Sequence, residues 1–316
     1  MGRHHVRCAR EARGVRLAAV SDVDPGQAKD VPDGVPFTTD VDELLDRCEA
    51  VVLAVPTDGH EELACRILGA GRHLLVEKPF AANVAACRRI EAAAQAAGRV
   101  VGVGHVERLN GAYTSVQGRI REPRFVEGHR LAAYDPRGTE VDVVLDLMIH
   151  DLDLVLDVFG ADPVRVEAVG VPVLTDRVDI ANARLEFPGG ALVNLTASRA
   201  SREPVRKLRF FQHEAYLSLD LGKQVAEVFT KDPASPLGVS RVTTREPDGH
   251  NPLVRELEAF ADAIRGERSP LVGPEEATRA VALAERIRQS IDERRSSWAA
   301  AARPGETPWA GAPSSS

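Results

Sequence analysis

Strands alternating with helices through the first third, then runs of strand joined by tight turns, predict two differently built halves. The first is an α/β domain with a parallel sheet. The second is an α+β domain with a large, mainly antiparallel, open-faced sheet. The 316 residues suffice for two domains of ordinary size, and shares of 44% hydrophobic and 28% charged residues are those of a globular protein in water. Aromatic residues make up only 4%, so Leu, Val, Ile and Ala must build the core.

Residues 4–13 read as a helix ended by Gly14, and 15–20 as a buried strand closing on Ser21, Asp22, Val23, Asp24 and Pro25. Residues 41–47 form a short helix, 50–55 a continuous apolar strand closed by Pro56 and Thr57, and 61–70 a helix with Gly71 at its C-terminus. A strand at 73–77 leads into a helix over 83–97 stopped by Gly98, and 99–103 is one more strand. The first domain therefore spans residues 1–105.

Beyond it, 108–120 read as a helix, 124–131 as a strand, and 143–159 as a helix of regular apolar spacing ended by Gly160. Alternating runs at 164–171, 180–187, 191–198, 205–212 and 216–221, with weaker ones to 245, read as strands. Phe187-Pro188-Gly189-Gly190-Ala191 is a hairpin signal. Helices over 251–265 and 274–294 complete a second domain, 106–295, and residues 296–316, rich in Ala, Pro, Gly and Ser, read as a disordered tail. There is no internal repeat.

Composition narrows the function. A net charge of −7 argues against a nucleic-acid surface, which needs a clustered basic face. No apolar run approaches the roughly 20 residues of a membrane span. The polar start, Met1-Gly2-Arg3-His4-His5, lacks the apolar region of a secretory signal. Cys8, Cys48, Cys65 and Cys87 show no C-x-x-C spacing, so neither a disulfide framework nor a metal site is expected, and a cytoplasmic location is.

The organising stretch is Arg72-His73-Leu74-Leu75-Val76-Glu77-Lys78-Pro79-Phe80. Pro79 cannot donate to a sheet and disfavours the α region for Lys78, so the strand ends with Lys78 at its C-terminal mouth. Ligands of open parallel sheets sit at that mouth. The lysine is either a catalytic group or an ordinary strand-end lysine.

A dinucleotide-binding unit of Rossmann type begins strand, G-x-G-x-x-G, helix, with an acidic residue about 20 positions on for the ribose. Here Gly2 precedes a helix and Asp22 ends the following strand, while the first strand and two glycines are missing. Met1-Gly2 is accordingly read as the end of a G-x-G-x-M-G loop whose beginning lies upstream. The plainer reading makes Gly2 incidental and Asp22 a turn cap.

The second constellation is Asp146, His150 and Asp153, at i, i+4 and i+7 of the helix over 143–159. Two carboxylates then flank an imidazole on one helical face, which suits a general base taking a proton from an alcohol. The alternative is a structural His150 with Asp151 and Asp153 in solvent.

With Glu77-Lys78-Pro79, the strand-end Asp22, Val55-Pro56-Thr57 with His60, and D-x₃-H-x₂-D in this order, the chain resembles the Gfo/Idh/MocA oxidoreductases over about residues 1–295. Gly104 to Asn110 with Leu145 to Asp153 looks most like the branch that oxidises the 3-hydroxyl of UDP-N-acetylhexosamines or their uronic acids.

The resemblance implies that Lys78 bonds the reacting hydroxyl and the nicotinamide ribose, that His150 accepts the proton, and that Asp146 lies beside both. It implies that Gly2 and Asp22 hold the cofactor, that Pro56, Thr57 and His60 line its groove, and that Glu77 lies near the nicotinamide. Arg108 would touch the cofactor and Asn110 the substrate. Asp22 favours NAD over NADP, since a carboxylate repels a 2′-phosphate.

The expected activity is hydride transfer between a sugar or sugar-nucleotide hydroxyl and nicotinamide. Two alternatives stand beside it: a dehydrogenase of free sugars, inositols or other small carbonyl compounds, and a non-catalytic dinucleotide or sugar sensor. A homodimer or homotetramer is expected, because the open sheet face needs a cover.

Overall fold

Two sheets of different character meet at the loops that carry the chemistry. The computed structural model describes residues 1–135, 141–245, 251–267 and 272–301. The chain opens with helix α1 (Gly2–Ala9) and the short strands β1 (Val20–Ser21) and β2 (Phe37–Thr38). Next come α2 (Val41–Leu45), β3 (Ala50–Leu53), α3 (His60–Gly69), β4 (His73–Glu77), α4 (Val84–Ala97) and β5 (Val101–Gly104). Strands β3, β4 and β5 form a parallel sheet in that order, and β1 pairs with β2 as a separate parallel ribbon.

Local chemistry sets these boundaries. The Asn83 side chain accepts from Ala86 N and starts α4, while Gly98 ends it at φ +60°. The strand expected over 15–20 is reduced to β1: Val20 and Ser21 pair with Phe37 and Thr38, and 15–19 join no ladder among the described residues. The first helix spans 2–9 rather than 4–13, and a turn carries the chain to Gly14 at φ +73°.

The second half opens differently from the expectation. The helix expected over 108–120 is broken into a 3₁₀ turn (Val106–Leu109), α5 (Gly111–Thr114) and a second 3₁₀ turn (Gln117–Arg119). Asn110 is the cause: it is extended at φ −65°, ψ 129°, and its side chain caps Ala112 N, which ends one turn and starts the next. After β6 (Phe125–Leu131), a π-helical turn at Val144–Met148 leads into α6 (Ile149–Phe159), which Gly160 ends at φ +60°.

Seven more strands follow: β7 (Arg165–Val171), β8 (Ile180–Glu186), β9 (Leu192–Ser198), β10 (Val205–Gln212), β11 (Ala215–Asp220), β12 (Val225–Lys231) and β13 (Val239–Arg245). The eight strands are ordered β13-β12-β11-β10-β6-β9-β8-β7, and only the β6–β9 pair is parallel. The inner strands alternate burial with period two, as in Phe125–Leu131, so one face carries Val126, Leu208, Phe210, Leu217 and Val228 into the core beneath α6.

The closing helices α7 (Pro252–Ile264) and α8 (Pro274–Ala301) return over both halves rather than staying with the second. Leu253, Leu257 and Phe260 of α7 pack on Cys8, Ala9 and Leu75. Helix α8 has two apolar faces: Ala277 and Val281 join the core of the parallel sheet, and Ala280, Ala284, Ile287 and Ile291 join that of the large sheet. This helix also runs past the expected tail boundary, to Ala301, and residues 302–316 lie outside the described residues.

One group in this packing is costly. Glu256 of α7 is 4% exposed, and neither carboxylate oxygen has a hydrogen-bond partner. Burial first, and then the charge of Glu77, pushes its carboxyl well above the ordinary range, so the protonated form is favoured in the fold. A raised folded-state value contributes stability that is present below the unfolded pKa and declines as pH rises. Glu256→Gln, which removes the charge and keeps the shape, is therefore expected to stabilise the protein at pH 8 by about 1–3 kcal/mol. Urea denaturation at pH 8 and pH 5 checks this, with the gain shrinking at the lower pH.

Candidate active site

The residues that follow β4 and β5 reach the π-helical turn and the first turns of α6. Lys78 follows the last residue of β4, and the Lys78–Pro79 peptide is cis. Its Nζ donates to the Asp146 backbone carbonyl at 2.7 Å and to Asp146 Oδ1 at 3.1 Å. His150 lies one turn further along. The strand-end lysine and the two helical residues, widely separated in sequence, thus form one constellation.

The carboxylates do not serve His150 as the helical spacing suggested. Asp146 turns to Lys78, and Asp153 turns to Arg108, so the buried Nδ1 of His150 has no hydrogen-bond partner. Nor is Asp153 in solvent: it is 1% exposed, as Asp151 is 2%. His150 is instead shaped by burial first, then by the cations Lys78 and Arg130, by His105 and by Arg206, all of which push its basicity well below the ordinary imidazole value.

Glu77, the last residue of β4, is buried, and its Oε1 lies 2.6 Å from His5 Nε2. Burial alone would raise its carboxyl, but the His5 hydrogen bond and the charges of His5 and Lys78 prevail and hold it below the usual range. Gly104 allows the close packing here, since a Cβ would stand 3.3 Å from Glu77 Cα and from the Val76 carbonyl.

Three residues expected to touch ligand are committed elsewhere. Arg108 forks onto Asp153 (2.6 and 2.9 Å) and also pairs with Asp157, so its donors are taken. Asn110 spends its amide on Glu107 Oε2 (2.8 Å) and the Leu221 carbonyl (2.9 Å), with its oxygen capping α5. His60 is 1% exposed, with Nδ1 2.9 Å from the Pro79 carbonyl oxygen and Nε2 3.0 Å from that of Val55. It braces the loop after β3 against the end of β4 and shapes the groove from behind instead of lining it.

Pro56 and Asp22 are exposed at the ends of β3 and β1, Thr57 is half-buried beside Pro56, and Asp22 holds the turn after β1 by accepting from Asp24 N at 2.9 Å. The first turn of α1, where Gly2 stands, has neither an acidic residue nor a side-chain cap, and while the His4 and His5 amides donate to the Met1 carbonyl, those of Gly2 and Arg3 remain available to an anion. These residues fit a nicotinamide dinucleotide, which Asp22, Pro56, Thr57 and Lys78 would hold. Among the described residues no three His, Cys, Asp or Glu side chains converge as metal ligands, and no helix is long and apolar enough to cross a membrane.

The site has a buried second layer that sequence reasoning missed. Arg130, 3% exposed, forks onto Asp151 (3.1 and 2.8 Å) and reaches Glu107 at 2.9 Å. Burial raises the Asp151 carboxyl above its ordinary range against the pull of Arg130. His105, 1% exposed, has neither ring nitrogen hydrogen-bonded, and burial first lowers its basicity. The Tyr113 hydroxyl donates to Asp157. A signal was present for Arg130: it occupies an inward position of an alternating strand, after Val126 and Gly128.

A parallel α/β half whose strand-end lysine meets an aspartate and a histidine from a half built on a large antiparallel sheet defines a nicotinamide-dependent dehydrogenase of CH–OH groups. The chain belongs to the Gfo/Idh/MocA oxidoreductases: residues 1–105 match the oxidoreductase family with NAD-binding Rossmann fold, and 108–217 match the GFO/IDH/MocA C-terminal domain. A UDP-N-acetylglucosamine 3-dehydrogenase of Acidithiobacillus ferrooxidans is 35% identical over 255 residues, which is 80% of this chain and 82% of that one. Its solved structure aligns with a TM-score of 0.84 at 33% identity, covering 92% of this chain and 94% of that one. An inositol 2-dehydrogenase of Pseudomonas fluorescens is 32% identical over 216 residues, 64% of this chain and 62% of the relative.

Loss of the Arg108–Asp153 fork should be costly, because Asp153 would stay buried without its main counter-charge. Arg108→Ala is expected to destabilise the protein by about 3–5 kcal/mol, read as a shift of the urea midpoint. A loss below about 1 kcal/mol would show that Asp153 is served by another group.

Proposed function

We propose that this chain oxidises a secondary hydroxyl of a sugar or sugar-nucleotide with NAD as acceptor, the C3 hydroxyl of a UDP-N-acetylhexosamine foremost. The observation that carries the reading is the meeting of Lys78 with Asp146, one turn from His150, at the mouth of the parallel strands. The similarity to a UDP-N-acetylglucosamine 3-dehydrogenase supports the substrate, and Asp22 at the end of β1 supports NAD.

A hydroxyl placed between Lys78 and His150 finds a cation on one side and a poorly basic, neutral imidazole on the other. His150 takes the proton. Lys78, oriented by Asp146, stabilises the negative charge that develops on oxygen as the C–H bond weakens. Bound nicotinamide supplies the hydride acceptor. Glu77 accepts from the Lys78 backbone N–H at 3.2 Å and so fixes the end of β4 where the lysine leaves it. Arg108, Asn110 and His60 act by holding their elements in place.

Lys78→Ala and His150→Ala are each expected to lower kcat/KM by about 10²–10⁴-fold with the circular dichroism spectrum unchanged. Unaltered turnover in either variant would sink the mechanism. Assays should follow nicotinamide absorbance with UDP-N-acetylglucosamine, free hexoses and inositols, and NAD binding without turnover on any of them would favour a sensor. Because burial and neighbouring cations disfavour the imidazolium of His150, its base form persists into acid, and the acid limb of kcat/KM is expected below pH 6.5.

The reading extends to assembly. On the outer face of the large sheet, Phe125, Phe211, Tyr216 and Phe229 stack in sequence at centroid distances of 5.5, 4.8 and 5.3 Å, and Arg241 lies over Phe229. The pairs Glu127–Arg209 and Glu227–Arg241 put both signs of charge on the same face, which makes it self-complementary to a second copy of the chain. Light scattering is expected to give a multiple of 34.1 kDa, two or four, and Phe211→Asp should shift it towards the monomer. A monomeric wild type would overturn this part.

A further inference from the structure

Around the site, the other cations already have partners. Lys78 is matched to Asp146, Arg108 to Asp153 and Asp157, and Arg130 to Asp151 and Glu107. Arg206 is the exception: among the described residues its guanidinium makes no ion pair and no hydrogen bond.

Its position is set by strand register. On β10, Leu208 and Phe210 point into the core, and period-two alternation gives Arg206 the same face, two residues earlier. Arg206 stands directly opposite Arg130 in the β10–β6 ladder, and the Arg130 fork lands on Asp151, next to His150 in the chain. There the core cover stops: Leu208 is 0% exposed, while Arg206 is open to solvent. A bare guanidinium therefore sits at the rim of the face that carries the proton acceptor. Its charge acts on both His150 and Asp151.

An unpaired arginine at the open rim of a sheet face, opposite the arginine whose fork holds the residue after His150, is suited to a planar oxyanion that the protein itself does not provide. We propose that Arg206 is the contact for an anionic group on the substrate, and that it separates sugars bearing a phosphate or carboxylate from neutral ones. This deepens the dehydrogenase reading and rests on it. The anion has two chemical sources, the diphosphate of a sugar-nucleotide or the carboxylate of a uronic acid.

The test compares wild type, Arg206→Ala and Arg206→Lys, each with NAD, on three probes: UDP-N-acetylglucosamine, free glucuronic acid and myo-inositol. Binding is measured by calorimetry and turnover by nicotinamide absorbance. Arg206→Ala is expected to weaken binding and raise KM for the anionic probe by about 10- to 100-fold. Its effect on the neutral probe should be at least tenfold smaller. Arg206→Lys, which keeps the charge but not the fork, should fall between.

A loss with UDP-N-acetylglucosamine assigns the diphosphate, and a loss with glucuronic acid the carboxylate. Equal losses on anionic and neutral probes, a change confined to kcat with a moved acid limb, or no binding of either anion to wild type overturns the proposal. Calorimetry keeps the two readings apart. If no alcohol is oxidised yet Arg206→Ala still weakens binding of an anion, the dehydrogenase reading falls and Arg206 keeps its role.

Discussion

The site depends on charges arranged along one stripe of one helix. Asp146, His150, Asp153 and Asp157 recur at helical spacing, and what faces them comes from the other half of the chain or from the junction. Lys78 closes on the first, and Arg108 on the last two. These pairs are more than adhesive. Buried carboxylates without counter-charges would be protonated or would disrupt the packing, so the helix can meet the end of β4 and the junction only where Lys78 and Arg108 stand. Chemistry and domain geometry therefore use the same contacts. Asp146 orients the lysine, while Asp153 and Asp157 hold the helix that presents His150.

This also explains the state of His150. A neighbouring carboxylate would raise imidazole basicity, and the helix carries several, but each is neutralised by a cation before it can act on the ring. What remains is desolvation and a surplus of positive charge, and both favour the neutral form. The buried layer beneath, where Arg130 joins Asp151 to Glu107 and Glu107 meets Asn110, makes the support rigid: moving one member leaves the others without partners.

Much of this was legible in the sequence, and the misses have physical causes. Strand ends, glycine stops and the alternation of β6 to β13 are local signals, and they emerged close to their expected places. Lys78 was legible because the following proline marks the end of its strand. The periodicity of α6 put Asp146, His150 and Asp153 on one face, but spacing along a helix does not say what stands opposite, and so the carboxylates were assigned to the histidine. Arg108, Asn110 and His60 looked available to a ligand because they are polar and lie at junctions. Only their tertiary partners show that their hydrogen bonds are spent. Strand β1 fell short because a ladder needs a partner strand and only Val20 and Ser21 find one, which no local pattern of residues 15–20 reveals. Arg130 and Arg206 did leave a trace, an arginine in the inward phase of an alternating strand.

The π-helical turn over Val144–Met148 has a consequence for how this protein can vary in descent. Such a turn holds an extra residue in the helix, and the segment contributes a backbone carbonyl, that of Asp146, as a partner for Lys78. Adding or deleting one residue between 144 and 149 would rotate all that follows by about 100°. His150 would then turn away from Lys78, while Asp153 and Asp157 would leave Arg108. Lineages of this chain should keep an unvarying count of residues through this turn.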